Sequence, residues 1–466
     1  MINLRQNKGF ALTFTLIFLF LIISFMAVYI LVVANGISEA NRVANEKRAY
    51  YIADAGLADA YERITQAGIN TIATNANYIP SASTDNGVYS TGTGTGNYTV
   101  SVVYSNAPRT NYTITSTGTY GNISKTLQLK MMGAAVSKYA YWSQTEINPQ
   151  WGQLWWVGVP GMVMLTNGPV QTNGTLNIFG NPIFNGPVTE AGGPTPNYYY
   201  GQGTSGLQSN PSVIFPSGLT NNAPQVNLPA QQTLNTIQTV ASNGHGLVLT
   251  GASTVIFNPT GTVTVTGTVK NAQGAVTATY NNTTMNPPAN GVIYVKSNQG
   301  QQDGNVTVQG TAKGQLTVAA DQNINVSGSV AYNSDPRTNP SSTDMVGLVA
   351  NQNITIIEAS APTQLEMSAV LVALQGSFQV DQWWVYRGNA TTAVMDQFGS
   401  LINYVSGVTG EIDMSGNLLG GWNQIQAYDT RLGTMAPPGF PPYVNNAGNG
   451  VYTKLSITEC NSGVCG

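Results

Sequence analysis

Charge is the scarcest thing in this 466-residue chain: Asp, Glu, Lys and Arg make up 8 % of it, against about 25 % in an average soluble protein. A surface so poor in ions is kept wet by amides, hydroxyls and turns, and the 51 glycines suit a loop-rich β protein outside the cell. Histidine is rarer still. The single one, His245, sits in "SNGHGL", so a Ser-His-Asp triad would have to be built on a solvated turn, and no G-x-S-x-G elbow is present. Cysteine occurs twice, at Cys460 and Cys465. In an exported chain that pair reads as a disulfide closing a small terminal loop, with two free thiols as the alternative. Two thiolates and one remote imidazole make a poor metal site. No D-x-[DN]-x-[DN]-G loop occurs, which leaves calcium only at Asp303, Asp321 and neighbouring asparagines.

The few charges are unevenly placed. Nine of the 37 lie between Glu39 and Arg63, and from Ala134 onward there are 14 acids and 8 bases, a formal net of −6. Nucleic-acid binders carry basic patches that displace counterions from phosphates. Bulk charge therefore argues against such a role for the C-terminal part, while a local patch stays open.

What the chain does have is one long apolar run. Phe10 to Ala34 is 25 residues without a charge, enough at about 1.5 Å per residue to span a bilayer core of about 30 Å. Arg5 and Lys8 precede it, which predicts a cytoplasmic N-terminus. A cleavable secretory signal would have a shorter core and a small-residue cleavage site, and "VVANG" (32–36) matches that weakly. The helical pattern also continues. Proline is absent from Ile37 to Gln66, and Tyr50, Ala53, Leu57, Tyr61 and Ile64 recur at steps of three and four, one helical face. Arg42 with Glu46 and Asp59 with Arg63 are four apart, as surface ion pairs are. One helix of about 55 residues is predicted, ended by Gly68.

A basic leader ending in glycine ("RQNKG"), then phenylalanine opening a long apolar helix, resembles a type IV prepilin. "EKRAYYIADAGLADA" (46–60) resembles the N-terminal domain of minor pilins of the PilX type. The resemblance covers residues 5 to 65. It implies that prepilin peptidase cuts between Gly9 and Phe10 and that the new N-terminal phenylalanine is methylated. The helix then serves first in the inner membrane and later among other minor and major pilins in a filament. One position departs from the family, whose fifth mature residue is a glutamate thought to pair with a neighbour's N-terminal amine. Here it is Phe14. A buried charge without its partner is costly, so loss of the carboxylate fits a subunit at or near the tip. Simple tolerance of the loss is the alternative.

Downstream, "NYTVSVVYS", "NYTITSTGTY" and "SKTLQLKMM" read as an antiparallel meander with turns at 106–108 and Gly121-Asn122. The remainder has its own rhythm. "NGPV" recurs at 167–170 and 185–188, and short apolar runs follow closely, with steps of ten and eight residues from Val306 to Leu316 to Ile324. Short strands at this pitch suggest a right-handed β-solenoid whose rungs bury their faces by stacking; a sandwich would want longer strands. "NGPVQTNGTLNIFGNPIFNGPV", "DMVGLVANQNITI" with "LVALQGSFQV", and "AYDTRLGTMAPPGFP" resemble an uncharacterised bacterial family found behind pilin-type N-termini, across 140–445. That plan is also similar to a competence minor pilin that binds DNA. "GVYTKLSIT" (450–458) is a last strand, either returning to the pilin sheet or not.

The fold class expected is thus an α+β pilin module carrying a large all-β domain. Its divisions are a leader (1–9), an apolar half-helix (10–34), an amphipathic half-helix (35–68), a sheet head (87–133), the β domain (140–445) and a C-terminal strand with the cysteine loop (446–466). Carboxylates that might serve glycoside chemistry are Asp335, Asp344, Glu358, Glu366 and Asp381, without diagnostic spacing. Aromatic clusters are the better lead: Trp155-Trp156, Trp383-Trp384 and Tyr198-Tyr199-Tyr200. Neighbours on a strand face opposite ways, so half of them are free to stack on a surface glycan or protein ligand, unless they plug the solenoid ends. The Tyr198–Tyr200 loop is the first choice for an exposed patch. The leading expectation is a non-enzymatic minor pilin displaying the β domain for adhesion or assembly priming, with no cofactor. Its rivals are a DNA-binding competence minor pilin and a membrane-tethered glycan-active enzyme.

Overall fold

A computed structural model describes residues 8–66, 89–90, 95–104, 111–133, 135–150, 152–159, 162–199, 209–227, 230–242, 244–413, 415–440, 452–460 and 465. It consists of a long N-terminal helix, a small antiparallel sheet and a large all-β domain.

The helix runs unbroken from Lys8 to Gln66, 59 residues or about 90 Å, close to the predicted span; Gly68 lies outside the described residues. From Leu12 to Val33 its large apolar side chains are exposed. From Ala49 to Ile64 one face is buried against the sheet. That face is Ala49, Ile52, Ala53, Leu57, Ala60 and Ile64, so the predicted stripe is corrected at its aromatic members: Tyr61 is half-buried and Tyr50 exposed. The reason is close approach. Gly56 lies over Tyr98 and Ser116, and Gly118 of the sheet lies against the helix backbone at Ala49 and Ala53, where a β-carbon would collide. Only small residues fit such a seam. Arg42 pairs with Glu46 as predicted and also with Glu39. Asp59 accepts from the Tyr98 hydroxyl at 3.2 Å, while its expected partner's side chain, at Arg63, is outside the description.

The sheet is antiparallel, in the order Tyr89–Ser90, Thr95–Tyr104, Asn111–Tyr120, Ile123–Gly133, Tyr452–Cys460. The turn at Gly121-Asn122 joins two of its strands; the one predicted at 106–108 falls outside the described residues. Its fifth strand is the C-terminal one, paired from Tyr452↔Gly133 to Cys460↔Thr126. The chain therefore leaves the sheet after Gly133 and re-enters it at Tyr452, with the β domain between. Cys460 is bonded to Cys465, and the adjacent Glu459 pairs with Lys125 at 2.7 Å.

The β domain is built mainly of parallel strands, with an antiparallel hairpin of Val263–Lys270 and Val276–Met285 added to Leu247–Phe257. Seven of them close into a ring of pairings: Leu247–Phe257, Val292–Lys296, Gln315–Ala320, Met345–Ala350, Gln364–Ala373, Ile324–Tyr332 and Val306–Ala312. Two long strands make the closure. Leu247–Phe257 pairs through its first half with Val292–Lys296 and through its second with Val306–Ala312, and Gln364–Ala373 bridges likewise at the other end. This closed parallel ring differs from the plain open stack expected of a solenoid. Outside the ring the parallel pairing continues through Val394–Val405, Tyr141–Thr145, Val170–Thr172 and Val188–Glu190.

The repeat seen in the sequence has a structural meaning. Val170 pairs with Val188 and Leu165 with Ile183, each 18 residues apart. Val306 likewise pairs with Ile324 across 18, so the steps of ten and eight belong to one circuit that visits two faces. The chain enters this stack in its middle. Tyr141–Thr145 lies beside Val394–Val405, so the first and last parts of the insertion are neighbours. From Thr220 the chain must then reach Leu247 at the far end, and the helix Ala230–Ser242 lies along that route, its Leu234, Ile237 and Ala241 sealed onto Val292, Tyr294 and Ala319.

Candidate functional site

The aromatic clusters end up in three different environments. Trp156 is buried, the middle ring of a chain in which it meets Tyr141 edge-on at 4.9 Å and Phe184 at 4.9 Å, with Phe184 stacked on Phe215. Its role is packing, which overturns an exposed reading for that residue. Trp155 is half-buried against the same core. Tyr198, the first choice for exposure, is also half-buried there, because its strand, Asn197–Tyr199, pairs with Asn177–Gly180 as a further layer. The Tyr199 side chain and Tyr200 lie outside the description.

Trp384 fits the exposed reading. It is 52 % exposed, and Tyr386, two residues on and missed in the sequence, is 64 % exposed. Trp383 turns inward onto the core and meets Trp384 edge-on at 5.7 Å. The segment is a turn, so this division follows from one anchor residue rather than from strand alternation. Arg387 binds Glu358 at 2.8 Å and the Ala361 carbonyl at 2.7 Å, with its guanidinium 4.5 Å from the Trp422 ring. Held so, the turn presents two aromatic rings on a fixed base.

The carboxylates predicted for chemistry are occupied structurally. Asp335 pairs with Arg337, Asp344 accepts from the backbone of Gly314 and Ser334, and Glu358 pairs with Arg387. Glu366 accepts from Ser368 and Asp381 from the Glu358 backbone. Asp303 and Asp321 likewise serve the backbone N–H groups of Asn298 and Ser297. Among the described residues no cluster of three metal-type ligands occurs. His245 lies exposed in its turn.

Two carboxylates that sequence reasoning passed over are the buried ones. Glu146 is 1 % exposed and accepts from the Tyr141 hydroxyl at 3.2 Å and from Ser143. Desolvation raises its pKa above the ordinary 4.5, against those hydrogen bonds. Glu190 is fully buried; its Oε2 takes one long bond from the Leu176 N–H at 3.5 Å, and its Oε1 has no partner. Burial, with the Glu146 charge adding, pushes its pKa up to about 7. The two are linked by register: Ser143, Thr172 and Glu190 stand on successive parallel strands in one column. Their sequence neighbours, "SQTEIN" and "PVTEAG", gave no sign of this.

Next to that column lies a cavity of 120 Å³ lined by Tyr141, Trp155, Trp156, Asn403, Trp422 and Gln426 among others. It gathers residues from widely separated parts of the chain, which no local motif announces.

The chain matches no protein-family model and no curated protein. Among solved structures it is similar to the competence-associated pilin ComZ from Thermus thermophilus, at 13 % identity and a TM-score of 0.33, over 89 % of this chain and 98 % of that one.

Proposed function

We propose that this chain is a pilin-type subunit, anchored in the inner membrane by its N-terminal helix and carried afterwards in a type IV filament, with the β domain displayed outside the cell. One observation carries the reading. The helix has two ends of opposite character: Leu12–Val33 is apolar and exposed, while Ala49–Ile64 is sealed to a sheet. An exposed apolar surface of that extent needs either lipid or other helices around it. Ser24, the polar residue in the middle of the run, bonds back to the Phe20 carbonyl at 2.8 Å, as suits a helix away from water.

In this reading prepilin peptidase removes residues 1–9, Phe10 becomes the methylated N-terminus, and Phe14 places the subunit at or near the tip. Outside the closed ring the β domain winds as a right-handed solenoid; the 18-residue register between Val170 and Val188 and the usual hand of parallel crossovers support that. Its role is adhesion or assembly priming, and the Trp384–Tyr386 turn is the contact surface for a glycan or protein. Mass spectrometry of the mature chain checks the processing step, and a chain still starting at Met1 would sink the pilin reading. A tag on sheared filaments, visible only at one end, is the result expected for a tip subunit.

A further inference from the structure

The 120 Å³ cavity beside Tyr141 has a lining that selects for one chemistry. No charged residue lines it, so it offers nothing to pair with an ion. Its walls are aromatic, with Trp156 and Trp422 buried and Trp155 half-exposed.

Most of its polar groups are already used. Gln426 donates to the Ala140 carbonyl at 2.9 Å and accepts from Thr166 at 3.2 Å. Gln424 accepts from Thr409 at 3.1 Å and donates to Gln397. Asn403, 1 % exposed, is different: its Oδ1 accepts from the Phe378 N–H at 2.9 Å, and among the described residues its Nδ2 has no protein acceptor. Beside this layer, Gln397 Nε2 is buried without a partner. The polar group this wall leaves open is therefore an amide donor, whose hydrogen bond is left to whatever fills the cavity. An anion is disfavoured by Glu146, which shares the Tyr141 hydroxyl. A cation finds no carboxylate in the lining. What fits is a neutral group with an acceptor oxygen and an apolar side; a cavity of about 150 Å³ holds a benzene ring.

We propose that this cavity binds the acetamido end group of a saccharide, its carbonyl accepting from Asn403 Nδ2 and its methyl lying among Trp156 and Trp422, with the sugar ring against Trp155 at the mouth. The purpose of such binding rests on the display reading above; the binding itself is measured on the purified protein and stands or falls without any filament.

The test uses the full chain in a sugar-free detergent, titrated with N-acetylglucosamine, glucose, acetamide and acetate while tryptophan fluorescence is followed. N-acetylglucosamine is expected to give a saturable change with a Kd of about 1 mM, glucose at least about tenfold weaker, and acetate none. Trp155→Ala should weaken binding about tenfold, and Val408→Phe, which fills the cavity from its wall, should abolish it while the melting temperature is kept. The proposal is overturned if N-acetylglucosamine gives no saturable change, if glucose or acetate binds as well, or if folded Val408→Phe binds as before.

Discussion

The two halves of the β domain share one backbone plan and are filled in opposite ways. Between Leu247 and Val372 the interior is mostly apolar: Leu249, Val255, Ile293, Val318, Val326, Leu348 and Leu371 are all fully buried. Where Val394–Val405 meets Tyr141–Thr145, the interior carries Asn403, Ser143, Thr172 and Glu190 in register, with Gln397, Gln424 and Gln426 beside them. Parallel strands place like positions above one another, so a valine column adds apolar burial at each step, about 25 cal/mol per Å². A polar column must instead close its own hydrogen bonds in a low dielectric. This one nearly does, and its failures at Glu190 Oε1 and Gln397 Nε2 mark the region that packing alone does not explain.

The largest effect expected from this contrast is in the apolar half. Leu348 is fully buried between its neighbours on the ring, and Leu348→Ala should cost about 3–4 kcal/mol. Ser143→Ala in the polar column removes one hydroxyl from a network and should cost about 1 kcal/mol. Urea denaturation followed by circular dichroism compares the two; equal costs would mean that the halves are not energetically distinct.

The second effect is a pH dependence confined to the polar half. In the unfolded chain Glu190 titrates near 4.5, and in the fold its pKa is pushed up to about 7. Between those values the folded protein holds a proton that the unfolded chain has released. Stability is therefore fully present below about pH 4.5 and falls as pH rises toward 7, by on the order of 3 kcal/mol. Glu146, raised in the same direction by desolvation, adds to the slope. Glu190→Gln keeps the shape without the charge and should flatten the curve, leaving the variant more stable than the parent at pH 8. A parent whose denaturation midpoint does not move between pH 5 and 8 would show that Glu190 is reached by water.

How much of this could be read from the sequence differs by element. The helix was legible because a 25-residue run without charge and a three-four periodicity are local patterns. The 18-residue circuit was legible in "NGPV", whose two copies stack as Asn167 and Asn185, 2.6 Å apart through their side chains. The closure of seven strands was not, since it depends on two long strands bending from one face to the other. The buried carboxylates were invisible for a related reason. Glu146 and Glu190 are 44 residues apart, and burial of each is decided by strands from Val394–Val405 and Val170–Thr172. The aromatics show the limit most clearly: "WWVG" and "WWVY" look alike, yet one Trp-Trp pair is mostly buried and the other half displayed.

That difference gives the smallest expected change in stability and the sharpest one in function. Trp384 and Tyr386 project from a turn whose fixation is done by Arg387 and Trp383. Removing either ring leaves the Arg387–Glu358 pair and the Trp422 contact in place, so Trp384→Ala and Tyr386→Ala should each shift stability by less than about 0.5 kcal/mol. Trp156→Ala, which empties the centre of the Tyr141–Phe184 aromatic chain, should cost about 3–5 kcal/mol. If the turn is a contact surface, the two mild variants lose surface attachment while keeping parental melting curves. Should both attach as the parent does, the displayed rings are ordinary surface aromatics and the contact must be sought elsewhere on the β domain.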